Sequence, residues 1–320
     1  MAYLWTPKVN KGELEKYISR HYKLGRILNY KKLEKGFANC LYRFQTTKGY
    51  FTFKIAIRHN SSKLKYEIDL LNNIANLPTP KPIKTKSGKY VFNYKGYLSF
   101  VYPYLPGNEQ KRFNYKMLFQ IGEFLGKLHL QTNNFNSKIN RTKFYFYSPQ
   151  EIKRVLKESK NIKNRKIKQA LQYIKSNAMD YKLPRGLPSG AIHIDVKPEN
   201  VLFQKNKLSG VVDFDNSFTG PLLFDLVNTL MWFSCKKGKI NWTDAKEIYR
   251  GYTNVRKLSS LERQHLSLVF HNIFYGITLS CIDQMNKGKF PEKYLIYLID
   301  NLFVSEKNLN EKEIGSMLNF

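Results

Sequence analysis

The chain has 320 residues, a formal net charge of +30, 42% hydrophobic residues and 15% aromatics. This composition excludes a disordered chain and allows one large domain or two lobes that each bury a core. Three widely separated cysteines (Cys40, Cys235 and Cys281), with no CxxC pair, argue against a disulfide framework or a zinc site and fit a reducing cytoplasm.

The N-terminal MAYLWTPKVNKGELEKY meets charge and proline too early for a secretory leader. The most apolar stretch, 266–281, contains His271 and Asn272 and is expected to be a buried helix rather than a membrane span. The first hundred residues are expected to be rich in strands. LYRFQT (41–46), the turn TKG and YFTFKIAI (50–57) predict a hairpin. In its second strand Phe51, Phe53, Ile55 and Ile57 share one face, and Tyr50, Thr52, Lys54 and Ala56 the other. SKLKYEIDLLNNIAN (62–76) repeats Leu64, Ile68, Leu71 and Ala75 at helical spacing, and Pro78, Pro80 and Pro82 end that helix. A second hairpin over 89–104 leads into the connector Leu105-Pro106-Gly107.

Beyond the connector the pattern is mainly helical. Asn114 is placed to cap a helix beginning YKMLFQ, and Ser148-Pro149-Gln150-Glu151 forms a capping box with proline at the first helical position. Ten basic residues crowd 153–182 against only Glu158 and Asp180, yet no nucleic-acid-binding signature accompanies them. A solvated helical face is expected there, in a lysine-rich chain whose composition suggests a nucleotide-biased genome. Strand signals return only at AIHI, VLFQ and LSGVVDF, before helical patterns run to the C-terminus. The order is therefore α+β, with a small β-rich lobe over 1–102, a hinge at 103–107, and a larger helical lobe over 108–320.

Phosphoryl transfer needs a lysine for the nucleotide phosphates, a glutamate to orient it, a carboxylate for the acceptor hydroxyl, and oxygen ligands for Mg2+. The chain supplies them in that order. Lys54 lies mid-strand, thirteen residues before Glu67 on the next helix, although an ordinary exposed strand lysine has the same signature. The segment AIHIDVKPENVLF places Asp195 to accept the acceptor hydroxyl's proton or orient that hydroxyl, with Asn200 five residues later. Asp213, thirteen residues beyond Asn200, ends the apolar strand VVDF; Asn200 and Asp213 are the expected metal ligands. Asp215 is either a further ligand or a turn acid. Gly36, before the first strand, suits a turn whose backbone N–H groups cover phosphates, and a plain hairpin turn explains it equally. His193 is expected to pack beneath the loop and bond backbone, and His129 to be a satisfied core histidine. Asp225, an acid inside the apolar helix PLLFDLVNTLMW, needs partners and is expected to bond backbone near the loop.

HIDVKPEN is similar to the catalytic loop of eukaryotic-type protein kinases, with Lys197 at the loop-lysine position. No glycine follows Asp213-Phe214, only eleven residues separate Asp213 from the helix acid Asp225, and no Ala-Pro-Glu follows, which leaves no peptide platform. Taken with LPSGAIHIDVKPENVLF (187–203), KLSGVVDF (207–214), GPLLFDLVNTLMWFSC (220–235), GFANCLYRFQTTKGYFTFKI (36–55) and YPYLPG (102–107), the chain resembles the aminoglycoside phosphotransferase/choline kinase superfamily, and within it the kinase-fold homoserine kinases. The resemblance implies a two-lobed protein-kinase-like fold and transfer of the ATP γ-phosphate, with Mg2+, to a small-molecule hydroxyl. It implies Asp195 as base, Asn200 and Asp213 on metal, Lys54 on phosphates, and backbone around Pro103, Tyr104 and Leu105 on adenine. Ile194 departs from the glycine or alanine that many of these enzymes carry after the loop histidine, and homoserine kinases often lack a lysine at position 54.

A homoserine-like amino alcohol is the first expected acceptor. An aminoglycoside, choline, ethanolamine or an amino sugar is the alternative within the class. A protein kinase, or a catalytically dead basic scaffold that binds anions or nucleic acid, are the other readings. No membrane partner and no specific nucleic acid are expected.

Overall fold

The structure, a computed structural model, describes residues 7–33, 39–57, 61–74, 76–133, 135, 149–177, 184–288, 290–302 and 309–319. The described chain divides into two compact units, the first holding 7–109 and 201–215 and the second the rest.

The first unit opens with α1 (Lys11–His21) and β1 (Ile27–Leu33), neither of which stood out from the sequence. A capping box starts α1: Asn10 accepts from the Glu13 N–H while Glu13 accepts from the Asn10 N–H. Then follow β2 (Asn39–Thr46), β3 (Gly49–Ala56), α2 (Ser61–Asn73), β4 (Phe92–Tyr94) and β5 (Tyr97–Pro103). The five strands form an antiparallel sheet in the order β1-β2-β3-β5-β4. β3 lies at its centre and is covered on both faces. Phe53 and Ile55 pack with Leu14 and Ile18 of α1, whereas Ala56 packs with Leu64 and Ile68 of α2. Each such fully buried side chain contributes about 1.5–3 kcal/mol. The same enclosure buries Lys54, on the α2 side of the strand, to 4% exposure, so it is not an ordinary surface lysine.

In the second unit come α3 (Tyr115–Thr132), capped by Asn114, α4 (Pro149–Glu158), α5 (Arg165–Asn177) and β6 (Ser189–Ile192). Pro149 is the first residue of α4, while Ser148 of the expected capping box lies outside the described residues. Ile152, Val155, Ile167, Ala170, Leu171 and Ile174 are the buried stripe of α4 and α5, and their lysines line the other side.

β7 (Val201–Gln204) and β8 (Lys207–Val211) then form a hairpin that belongs to the first unit, so the helical stretch expected over 108–320 is interrupted. Backbone pairing is the cause. Asn108 and Phe203 exchange N–H···O bonds of 3.0 and 2.9 Å, and Val211 N–H donates to Pro78 O at 2.8 Å. Gly107, at φ +109°, permits this approach, because a Cβ there would lie 2.8 Å from Phe203 O.

The second unit resumes with β9 (Phe218–Pro221), paired to β6, and α6 (Leu222–Ser234). A two-residue-stranded hairpin, β10 (Cys235–Lys236) and β11 (Lys239–Ile240), leads to α7 (Trp242–Val255), α8 (Ser260–Gln264), α9 (Leu266–Asn286), α10 (Glu292–Leu302) and α11 (Glu311–Met317). α3 and α7 touch backbone to backbone. A Cβ on Gly122 would sit 2.0 Å from Ile248 O, and one on Gly251 2.1 Å from Phe119 O. Among the described helices α9 alone is long and apolar enough to cross a membrane, but 76% of its apolar window is buried inside the protein.

Candidate active site

In the first unit the register Leu41↔Lys54↔Phe100 places Lys54 between two neighbouring strands, facing α2. Its Nζ lies 2.7 Å from Glu67 Oε1, one buried side chain against another. Lys54 also ion-pairs with Asp215, whose second oxygen accepts from Asn39 Nδ2. Nothing in the sequence signalled these two partners of the Asp215 carboxylate, Lys54 and Asn39. Burial works against the Lys54 ammonium, but Asp215, Glu67 and Asp213 outweigh it and raise its pKa. Burial raises the Glu67 carboxyl as well, against the pull of Lys54.

Two buried acceptor oxygens of this cluster, Glu67 Oε2 and Asn39 Oδ1, have no hydrogen-bond donor among the described residues. Such oxygens suit a hydrated divalent cation, whose waters donate. No described group of three His, Cys, Asp or Glu side chains forms a protein-only metal cage. Asp213 follows β8 by two residues and stands at φ +68°, a left-handed conformation that aspartate tolerates better than most residues. Pro103 ends β5, and Tyr104 N–H donates to Tyr50 O at 2.9 Å. The Arg43 guanidinium lies 4.6 Å from the ring centres of both Tyr50 and Tyr104, a cation–π bracket on the connector that the sequence did not signal. Gly36 lies outside the described residues.

In the second unit the loop after β6 carries Asp195, only 5% exposed. Lys197 Nζ is 3.0 Å from Asp195 Oδ2 and 5.3 Å from the Trp232 ring centre. Asn200 Nδ2 donates to the Asp195 backbone oxygen at 2.9 Å and approaches Oδ2 at 3.3 Å, so these two residues brace one another. His193, fully buried, accepts the Asp195 N–H on Nδ1 at 3.2 Å.

Asp225, fully buried on α6, accepts the N–H groups of His193 and Ile194, both at 2.7 Å. Asn228 Nδ2 donates to Ile194 O at 2.6 Å. Ile194 itself has φ +59°. A β-branched side chain there costs about 1–3 kcal/mol, and the bonds from α6 hold the strained peptide in place. His129 is likewise fully buried, with Nε2 3.1 Å from Asp225 Oδ2 and Nδ1 2.8 Å from Tyr252 Oη. Cys281 and Tyr294, on α9 and α10, lie within electrostatic reach of Asp195 and Lys197. Burial pushes the Cys281 thiol up to about 12, which makes it an inert neutral wall.

The sequence model of the phosphotransferase enzyme family (APH) matches residues 29–260. The homoserine kinase of Pseudomonas aeruginosa is 27% identical over 270 residues, which cover 82% of this chain and 82% of that protein. Among solved structures, an amicoumacin kinase in complex with AMP-PNP, Ca2+ and amicoumacin superposes with a TM-score of 0.65 at 16% identity, covering 97% of this chain and 91% of that one. A microcompartment-associated aminopropanol kinase gives 0.63 at 13% identity, covering 90% and 93%. At these identities the structural likeness carries the fold, which is the two-lobed protein-kinase-like one.

Proposed function

The chain belongs to the phosphotransferase enzyme family and is a small-molecule kinase, and from that premise we propose that it transfers the γ-phosphate of ATP, with Mg2+, to the hydroxyl of a homoserine-like amino alcohol. The observation that carries the reading is the buried Lys54–Glu67 pair at 2.7 Å, a phosphate-binding ammonium held in one orientation. Asp215, itself held by Asn39, fixes Lys54 from its other side. Pro103, Tyr104 and Leu105 offer backbone to adenine. Asn200 and Asp213 would hold the metal, which when bound neutralises charge on the phosphates.

Asp195 orients the acceptor hydroxyl and takes its proton. Lys197, 3.0 Å away, balances charge on the incoming phosphoryl group. His193 and Asp225 hold the Asp195 loop. An amino alcohol is favoured as acceptor because the P. aeruginosa relative is a homoserine kinase and one structural neighbour an aminopropanol kinase. The +30 charge supports no polycationic acceptor.

The test is ATP consumption with Mg2+ over homoserine, aminopropanol, ethanolamine, choline, amino sugars, aminoglycosides and a generic protein. Turnover confined to an amino alcohol is the expected result. Turnover on the protein alone, or absence of Mg-ATP binding, would sink the reading.

A further inference from the structure

The support of the Asp195 loop does not end at Asp225. His129 Nδ1 meets Tyr252 Oη, Tyr252 Oη accepts from Arg256 Nη1 at 2.9 Å, and Arg256 Nη2 reaches Glu262 Oε2 at 3.0 Å. His129, Tyr252, Asp225 and Glu262 are all fully buried. The close α3–α7 contact at Gly122 and Gly251 is what brings Tyr252 against His129.

The direction of this relay is fixed at both ends. Arginine has no acceptor, so Tyr252 Oη receives from Arg256, which leaves its own hydrogen for His129 Nδ1. The Asp225 carboxylate, which accepts two backbone N–H groups, can only accept, so His129 Nε2 is the donor to it. Donors and acceptors are matched along the whole relay when the ring is the neutral Nε2–H tautomer. Burial lowers the imidazole pKa, against Asp225, and favours the neutral form. The charged and titratable groups facing it are Asp225 from α6, Tyr252 from α7, Arg256 directly after α7, and Glu262 from α8. Burial raises the Tyr252 phenol, which keeps its hydrogen available.

We infer that Tyr252, Arg256 and Glu262 are positioning residues for phosphoryl transfer: through His129 and Asp225 they hold the strained His193–Ile194 peptide, and with it Asp195, in place. This rests on the reading of Asp195 as the acceptor-side base. None of the three needs to touch substrate. Their contribution is to make one hydrogen-bonding state available to His129, so that Asp225 presents its oxygens to the loop in one orientation.

Tyr252→Phe removes the middle of the relay and keeps the ring packed against His129. The expected result is a kcat lower by about ten- to a hundred-fold, with KM for nucleotide and acceptor within about two-fold of wild type. Amide exchange at Ile194 should accelerate by about ten-fold. The imidazole nitrogen NMR signals of His129 should change from a single Nε2–H pattern to a mixture. Arg256→Lys, which keeps a charged donor, should retain more of the activity than Arg256→Leu. Unchanged Ile194 exchange and an unchanged His129 tautomer in Tyr252→Phe would overturn the inference, as would wild-type kcat. Should that variant not fold, an Nδ1–H or cationic His129 in the wild-type protein overturns it instead. The exchange and NMR measurements need no turnover, so a wild-type protein silent on every acceptor would count against the proposed function and leave these arms to decide the relay.

Discussion

Replacing Lys54 by methionine removes the cation that pairs with Glu67 and Asp215, in a pocket where the three are 4%, 2% and 5% exposed. Two carboxylates are then left buried together. Breaking a buried pair in this way costs about 3–5 kcal/mol. At ~1.4 kcal/mol per decade, exchange protection of the β3 amides at pH 8 falls by about two to about four decades, corrected for intrinsic rate. The pH dependence has a definite sign. Burial already raises the Glu67 carboxyl, and loss of Lys54 raises it further. A folded-state pKa above the unfolded value gives stability that is present below the unfolded pKa and lost as pH rises through the folded one. The defect should therefore be largest at pH 8 and shrink toward pH 5, as the carboxyls take up protons. Wild-type protection at pH 8, or a defect that grows on acidification, would refute the argument that these carboxylates depend on Lys54.

Asp195→Asn should abolish phosphoryl transfer while leaving Mg-ATP affinity nearly intact by calorimetry; full turnover would remove Asp195 from the chemistry. Asp213→Ala should weaken nucleotide binding in the presence of Mg2+ and flatten its dependence on the metal, and an unchanged Mg2+ titration would count against a ligand role. Gly251→Ala, whose Cβ would stand 2.1 Å from Phe119 O, should destabilise the second unit by about 1–3 kcal/mol in urea unfolding followed by tryptophan fluorescence. An unshifted midpoint would mean that α3 and α7 separate freely.

The parts of the fold that are local in sequence were legible there. The β2–β3 hairpin, α2 and the Asn114 cap follow from alternation, helical spacing and a single side-chain acceptor, and the observed ends differ by a few residues. α1 was obscured because KGELEKYISRH buries only Leu14 and Ile18, although Asn10 and Glu13 carried the capping signal. β1 is an edge strand with Ile27 as its only buried residue, so no alternation marks it. Asp225 was legible as an acid needing partners, because an unpaired carboxylate in an apolar helix is too costly. What it bonds through His129 was not legible, since Tyr252 lies 123 residues from His129. Spacing likewise could not join Asp215 to Lys54, because the pair closes across 161 residues. The glycines at 122 and 251 gave a faint signal, small residues inside helices, whose meaning depends on which helix comes alongside.

The return of residues 201–215 to the first unit has a consequence for synthesis. When Lys54 and Glu67 have left the ribosome, Asp215 has yet to be made, and 161 residues separate the two ends of the ion pair. At about 5–20 residues per second, that interval is on the order of ten to thirty seconds. During it the nascent sheet has its lysine–glutamate pair but lacks the hairpin that bonds to Pro78 and Asn108. The β-rich unit, although it comes first in the chain, is thus completed only after all of α3 to β6 has been translated, and a truncated message ending before the hairpin would release that unit with Asn108 and Pro78 O lacking these backbone partners.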